Sequence, residues 1–176
     1  MAIADPGLQH VLIYTPRGRD AEIAASLLKE VGVSAVKGLD LTQFEKSLSN
    51  DTWFALLTDE TLRSGDMRSI AAWIANQPAW SDLPFIVLTQ RGGGPERNPG
   101  AARLSEMLRN VTFVERPFHP TIFVSVARTA LNGRRRQLDA RAMIEALNKG
   151  EERLRRANQT LEASVGDRTP ELKRTH

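Results

Sequence analysis

The sequence predicts an α/β fold: a five-stranded, doubly wound parallel sheet followed by an extended C-terminal coiled-coil helix. Three observations predict it. Five short apolar runs of strand length recur between His10 and Val114. Stretches with apolar residues at helical spacing separate them, the alternation that a parallel sheet covered on both faces requires. Beyond Pro120, leucines recur every seven residues at Leu147, Leu154 and Leu161.

The elements follow in order. His10-Val-Leu-Ile-Tyr14 is a β-branched and aromatic run, the first buried strand. Asp20 is placed to cap a helix in which Ile23, Ala24, Leu27, Leu28 and Val31 recur, and Gly32 ends it. Ser34-Ala-Val-Lys37 is a weak second strand, followed by a short helix from Leu41 to Leu48. Trp53-Phe-Ala-Leu-Leu57 is the third strand. Met67, Ile70, Ala71 and Ile74 mark a helix that stops before Pro78. Phe85-Ile-Val-Leu88, directly after Pro84, is the fourth strand. A loop, Gln90-Arg-Gly-Gly-Gly-Pro95, leads to a helix carrying Leu104, Met107 and Leu108. Val111-Thr-Phe-Val114 is the fifth strand, and a last helix begins near Pro120. Right-handed crossovers leave few topologies for such a chain. The functional edge of the simplest one is the carboxyl end of its strands.

Composition bounds the function. A chain of 176 residues, 41% hydrophobic and 26% charged, holds one ordinary core and an appendage. No apolar run approaches the ~18 residues of a membrane helix, and no signal pattern opens the chain. The absence of cysteine excludes disulfides, cysteine nucleophiles and thiolate metal sites, and fits a cytoplasmic location. His10, His119 and His176 lie far apart, so no metal site is expected. Residues 1–127 hold 12 Lys/Arg against 14 Asp/Glu, whereas residues 128–176 hold 12 against 7. A basic tail attracts nucleic acid, but a solvated arginine-rich helix face is the simpler account of Arg134-Arg-Arg136. Gly92-Gly-Gly-Pro95 lacks the Gly-Lys-Ser/Thr of a phosphate cradle. Trp53, Trp73 and Trp80 form no stripe beside a basic patch, which leaves packing as their role.

Two segments carry a family resemblance. Leu83-Pro-Phe-Ile-Val-Leu-Thr89 and Val114-Glu-Arg-Pro-Phe118 resemble two signatures of bacterial response-regulator receiver domains, over roughly residues 8 to 131. Pro16-Arg-Gly-Arg-Asp-Ala21, Gln77-Pro-Ala-Trp-Ser-Asp-Leu-Pro84 and Asn110-Val-Thr-Phe-Val-Glu-Arg-Pro117 resemble more closely the receiver-like modules at the N-terminus of some sensor histidine kinases. The resemblance implies a receiver/flavodoxin-like domain over 1–131, a signalling helix over 132–176, and a place in two-component signalling.

The resemblance also implies a degenerate pocket. Working receivers hold Mg²⁺ with an acidic pair after the first strand and an acceptor aspartate after the third. Here those positions fall on Thr15 and Pro16, and on Thr58. The family's lysine before proline becomes Arg116, and only Thr89 matches the pattern. Without metal-holding carboxylates nothing offsets the charge of a transferred phosphoryl group. The expectation is a pseudo-receiver without aspartyl phosphorylation, cofactor or catalytic residue. Asp59, with Glu60 beside it, could serve as acceptor only if the register shifts by one. Strand alternation opposes that if the strand continues, which makes Asp59 a solvated loop residue or a helix cap, whereas a turn just there would re-aim it. Arg17, Arg19 and Arg116 could gather around an anion, although pairing with an acidic neighbour suits Arg116 better.

The tail reads as heptads, with Leu147, Leu154 and Leu161 at d and Ile144, Asn158 and Val165 at a. Glu151 at the intervening a position weakens its turn, while Gly133 and Gly150 each cost ~1 kcal/mol relative to alanine. Asn158 opposite its symmetry mate fixes a parallel two-stranded register. Gly166 and Thr169-Pro170 are expected to end or kink the helix. The segment from Asn158 to Leu172 resembles linker helices that lead into sensory or kinase modules. The expected function is therefore a homodimeric module that relays a signal to a downstream kinase or effector by population shift. The alternatives are a phosphorylatable regulator using Asp59 and a nucleic-acid-binding adaptor using the basic helix.

Overall fold

The computed structural model describes residues 10–174, with the side chains of 10–167. Its strands are β1 (His10–Tyr14), β2 (Ala35–Lys37), β3 (Thr52–Thr58), β4 (Phe85–Thr89) and β5 (Val111–Glu115). Its helices are α1 (Asp20–Glu30), α2 (Leu41–Ser47), α3 (Asp59–Ser64), α4 (Arg68–Ala75), α5 (Pro99–Leu108) and α6 (Pro120–Arg174). The strands are all parallel in the order β2-β1-β3-β4-β5, the doubly wound receiver/flavodoxin-like arrangement. Strand order reverses between β1 and β3, which opens a crevice at their carboxyl ends.

Strand alternation sorts the side chains onto two faces. Leu12, Ala55, Leu57, Phe85 and Val87 bury one face against Phe44, Ile70, Ile74, Leu104 and Leu108 from α2, α4 and α5. Val11, Ile13, Phe54, Leu56, Ile86 and Leu88 bury the other against Ala24 and Leu28 of α1 and Phe123 and Ala127 of α6. Both faces being dry, the strands read as continuous apolar runs, the pattern expected of a covered parallel sheet.

Two local expectations need correction. Asp20 does not cap α1: it is the first helical residue, Arg19 stands at the cap without a side-chain bond, and the Asp20 carboxylate is engaged elsewhere. Directly after β3 the chain forms α3, a helix that periodicity does not announce because Leu62 is its single apolar residue. Cap chemistry makes it instead. The Thr58 hydroxyl accepts from the Thr61 amide, and Asp59 and Glu60 complement the positive end of the helix. Gly65 closes it where a β-carbon would lie 2.6 Å from Leu41 Cδ2.

The chain divides into two compact units, one running to Leu138 and one starting at Asp139. In the first, Arg134 of α6 is fully buried, which overturns its reading as part of a solvated face. Its Nε donates to the Thr52 carbonyl at 2.9 Å, and Nη2 donates to that of Asn50 at 2.9 Å. Nη1 donates to Ser81 Oγ at 2.8 Å and to Gln137 Oε1 at 2.7 Å. Gln137 also accepts from the Asp82 amide and donates to the Asp82 carbonyl, so the Trp80-Ser-Asp82 segment is stitched to α6. Trp80 lies under the Arg134 guanidinium and Trp53 under that of Arg135.

The second unit is helix alone. Ion pairs Arg141–Glu145, Arg155–Glu152 and Arg156–Glu152 at i,i+3 and i,i+4 support it. The helix runs through Gly166 and Thr169-Pro170 to Arg174, correcting the predicted stop.

Candidate functional site

The parallel register brings the predicted pocket residues to one edge. Tyr14 stands opposite Leu57, Thr58 opposite Leu88, and Thr89 opposite Glu115. Thr15, Pro16, Thr58, Asp59, Thr89 and Arg116 thus follow or end β1, β3, β4 and β5 in one row. Pro16 is exposed and offers no side-chain ligand. Thr58 is buried, and its hydroxyl is shared with Thr61 Oγ1 at 2.9 Å. The hydroxyls of Thr15 and Thr89 are buried and make no hydrogen bond to a described residue.

Arg116 organises this edge. Its backbone N–H extends the β4–β5 ladder to the Thr89 carbonyl at 2.8 Å, which holds the side chain over the strand ends. Nη2 donates to Glu60 Oε1 at 2.5 Å and lies 3.7 Å from Asp59 Oδ1; Nη1 donates to Asp20 Oδ2 at 3.3 Å. Arg63 pairs with the other oxygen of Asp59. Asp59 is therefore not a solvated loop residue: it is 1% exposed and lies between two guanidinium groups. The expected pairing of Arg116 with acidic neighbours holds, but with three of them.

This arrangement decides what the residues fit. A divalent cation needs converging oxygen ligands. Among the described residues no group of three or more His, Cys, Asp or Glu is disposed to hold one. The carboxylates of Asp20, Asp59 and Glu60 meet a guanidinium instead, and Thr15 and Thr58, where the resemblance looks for acidic side chains, are neutral. The residues present do not fit the Mg²⁺ that the resemblance implies.

Electrostatics follow the geometry. Burial pushes the Glu60 carboxyl up, but the hydrogen bond and charge of Arg116 outweigh it and hold it below its ordinary value. Burial likewise pushes Arg116 down, while Glu60 and Asp20 more than offset it, so it stays protonated. A carboxyl depressed in the folded state contributes stability above its unfolded pKa and loses it as pH falls through the folded one. Acidification below about 4.5 is expected to weaken the fold through this pair. Glu60→Gln is expected to flatten the acid limb of a urea-midpoint-versus-pH curve, and an unchanged limb would refute the assignment.

Beside Arg116 opens a cavity of about 700 Å³. Tyr14, Leu41, Thr58, Thr61, Gln90 and Arg17 contribute to its lining. Arg17 reaches it, whereas Arg19 stands at the start of α1 and does not line it, so the three arginines do not gather there. Sequence reasoning missed Glu60 as the principal partner of Arg116 and Tyr14 as a cavity wall. The adjacent acids Asp59-Glu60 at a strand end were the available signal.

The predicted coiled-coil residues form a separate set on α6. Leu147, Leu154, Leu161 and Val165 are each more than 60% exposed in the single chain, Ile144 is 43% exposed, and Asn158 is exposed among them. Of Arg134-Arg-Arg136, Arg134 is consumed by the core and Arg135 stacks over Trp53, which leaves Arg136 exposed.

No family model matches the chain, and no curated protein matches it. Solved structures do. Over 76% of this chain and 29% of its own, NtrX from Brucella abortus superposes with a TM-score of 0.57 at 18% identity. Full-length FixJ from B. japonicum gives 0.56 at 18% identity, over 80% of this chain and 66% of its own. The beryllofluoride-activated NtrC4 receiver domain dimer gives 0.53 at 20% identity, over 72% of this chain and 99% of its own. The chain spans less than a third of NtrX and about two thirds of FixJ. The likeness establishes the fold: that of response-regulator receiver domains.

Proposed function

We propose that this chain, built on the receiver fold, is a phosphorylation-independent signalling module of a two-component system, relaying its state through a homodimeric coiled coil. One observation carries the first half of that reading. Arg116 occupies the carboxylates of Asp20, Asp59 and Glu60 within one cluster, and Thr58, which ends β3, carries no carboxylate. Phosphoryl transfer to an aspartate needs a free carboxylate and a counter-cation on the incoming phosphoryl oxygens. Here Asp20 is bonded to Arg116, and the buried Asp59 has one oxygen on Arg63 and the other 3.7 Å from Arg116. A negatively charged donor would also meet Glu60 at the cavity wall.

The helix supports the second half. Five large apolar side chains at heptad spacing, exposed on a helix whose other faces carry charge, are costly in water and are buried by pairing. The parallel register, with Asn158 meeting Asn158, places equivalent residues side by side, so a change in either body is transmitted to whatever kinase or effector the helix joins. A two-state dimer responds to any input by population shift, and no residue of the chain acts as a catalyst.

Intact-mass analysis after incubation with acetyl phosphate and Mg²⁺ tests the pocket. The expected spectrum shows no phosphoryl adduct on the wild-type chain. An adduct that vanishes in Asp59→Asn would overturn the reading and make Asp59 the switch.

A further inference from the structure

We propose that the cavity between the carboxyl ends of β1 and β3 binds a small organic carboxylate with an apolar body, and that Arg17 is its counter-charge. The cavity lies where strand order reverses, the position at which doubly wound sheets hold ligands. At about 700 Å³ it falls within the range of small-molecule sites, which runs from about 300 to 1,000 Å³.

Its lining selects the ligand. Tyr14 and Leu41 supply an apolar wall, with the Tyr14 ring steadied by Phe44 at 6.3 Å between centroids. Arg116 has three carboxylates within 4 Å and its one unbonded nitrogen, Nε, is buried, so the charge it offers an anion in the cavity is largely offset. Arg17 differs: it faces the same cavity, makes no ion pair or hydrogen bond with a described residue, and keeps its full donor fork. The Tyr14 hydroxyl is also without a hydrogen-bond partner among the described residues. One unpaired guanidinium and one free hydroxyl beside an apolar wall suit a single carboxylate on a ring or short chain. A phosphate needs more donors than this: Thr58 and Thr61 are bonded to each other, and Ser64 is bonded to the Glu60 carbonyl. Glu60, which also lines the cavity, adds repulsion that grows with ligand charge.

The inference rests on the reading above in one respect, that this pocket is not a phosphorylation site, and it supplies the missing input. The two fail separately. A phosphoryl adduct on Asp59 is read by mass, whereas the ligand is read by titration.

The test is an amide NMR titration of the full chain with benzoate and hexanoate, alongside benzyl alcohol and inorganic phosphate. Saturable shifts at Tyr14, Leu41 and Thr61 are expected with at least one carboxylate, with Kd of about 0.1–1 mM. Arg17→Gln is expected to weaken that binding about tenfold while leaving spectral dispersion unchanged, because Arg17 is exposed. Benzyl alcohol and phosphate are expected to bind more weakly. The proposal is overturned by no saturable shift with either carboxylate below about 10 mM, by equal binding to Arg17→Gln, or by phosphate binding as tightly as the carboxylates.

Discussion

Replacing Arg134 with methionine is expected to cost about 3–5 kcal/mol of folding stability, enough to consume much of the margin of an ordinary domain. Methionine fills the apolar stem but donates nothing. The carbonyls of Asn50 and Thr52 then lose a buried donor, at roughly 1–3 kcal/mol each. Ser81 keeps its bond to Gln77, and Gln137 keeps both bonds to Asp82, so those two acceptors add little. Arg134→Lys is expected to recover only part of the loss, because an ammonium on a flexible stem cannot serve acceptors spread around a planar fork. Arg135→Met is the contrast. Arg135 is exposed, and it loses about 0.5–1 kcal/mol of cation–π attraction to Trp53. Urea unfolding at neutral pH reads all three. A change below about 1 kcal/mol in Arg134→Met would show that the buried guanidinium is not an anchor.

That anchor marks the boundary of what a sequence displays. The strands were legible because both faces of the sheet are dry, so Val11-Leu-Ile13 and Phe85-Ile-Val-Leu88 are apolar without interruption. The end of α1 was legible because Gly32 takes a positive φ of 79°, which a side chain resists. Arg134 was not legible: three of its four acceptors lie 53 to 84 residues away, and three consecutive arginines look like a solvated face until the fold brings Asn50 and Ser81 to the first of them. Polar groups satisfied by distant backbone leave no periodic trace.

The pocket failed differently. Thr58, Thr89 and Arg116 lie at the carboxyl edge of the strands, where the family resemblance puts its pocket residues. The reading of Asp59 as a solvated residue or cap holds only if strand alternation continues past Thr58; a turn there is the alternative. The alternation does not continue, because Thr58 is the extended N-cap of α3 and Asp59 is already helical. The chain turns at that residue and carries the carboxylate inward to Arg116 and Arg63. The partners Asp20 and Glu60 stand 96 and 56 residues before Arg116, so their convergence depends on the crossovers and not on local pattern. The result is a charge cluster at the carboxyl edge of the sheet, in which one guanidinium meets three carboxylates.

Substituting Leu154 with lysine is expected to dissociate the proposed dimer while leaving the body folded. Leu154 is 68% exposed in the single chain, so the monomer loses no core contact. In a parallel pair both copies of the residue leave the seam. At about 1.5–3 kcal/mol per buried leucine, the loss is roughly 3–6 kcal/mol, which weakens Kd by about two to four orders of magnitude. Sedimentation equilibrium over a concentration series reads it directly. Glu151→Leu is expected to move the equilibrium the other way, because it replaces two facing carboxylates with an apolar layer between Leu147 and Leu154. Asn158→Ile separates affinity from register. It should tighten association yet admit other oligomers or an antiparallel arrangement, since the paired amides that reward the parallel register are gone. A wild-type chain that sediments as a monomer throughout, or a Leu154→Lys variant indistinguishable from it, would remove the coiled coil from the mechanism. Dimers of unaltered order in Asn158→Ile would leave the seam in place but assign its register to some contact other than that amide pair.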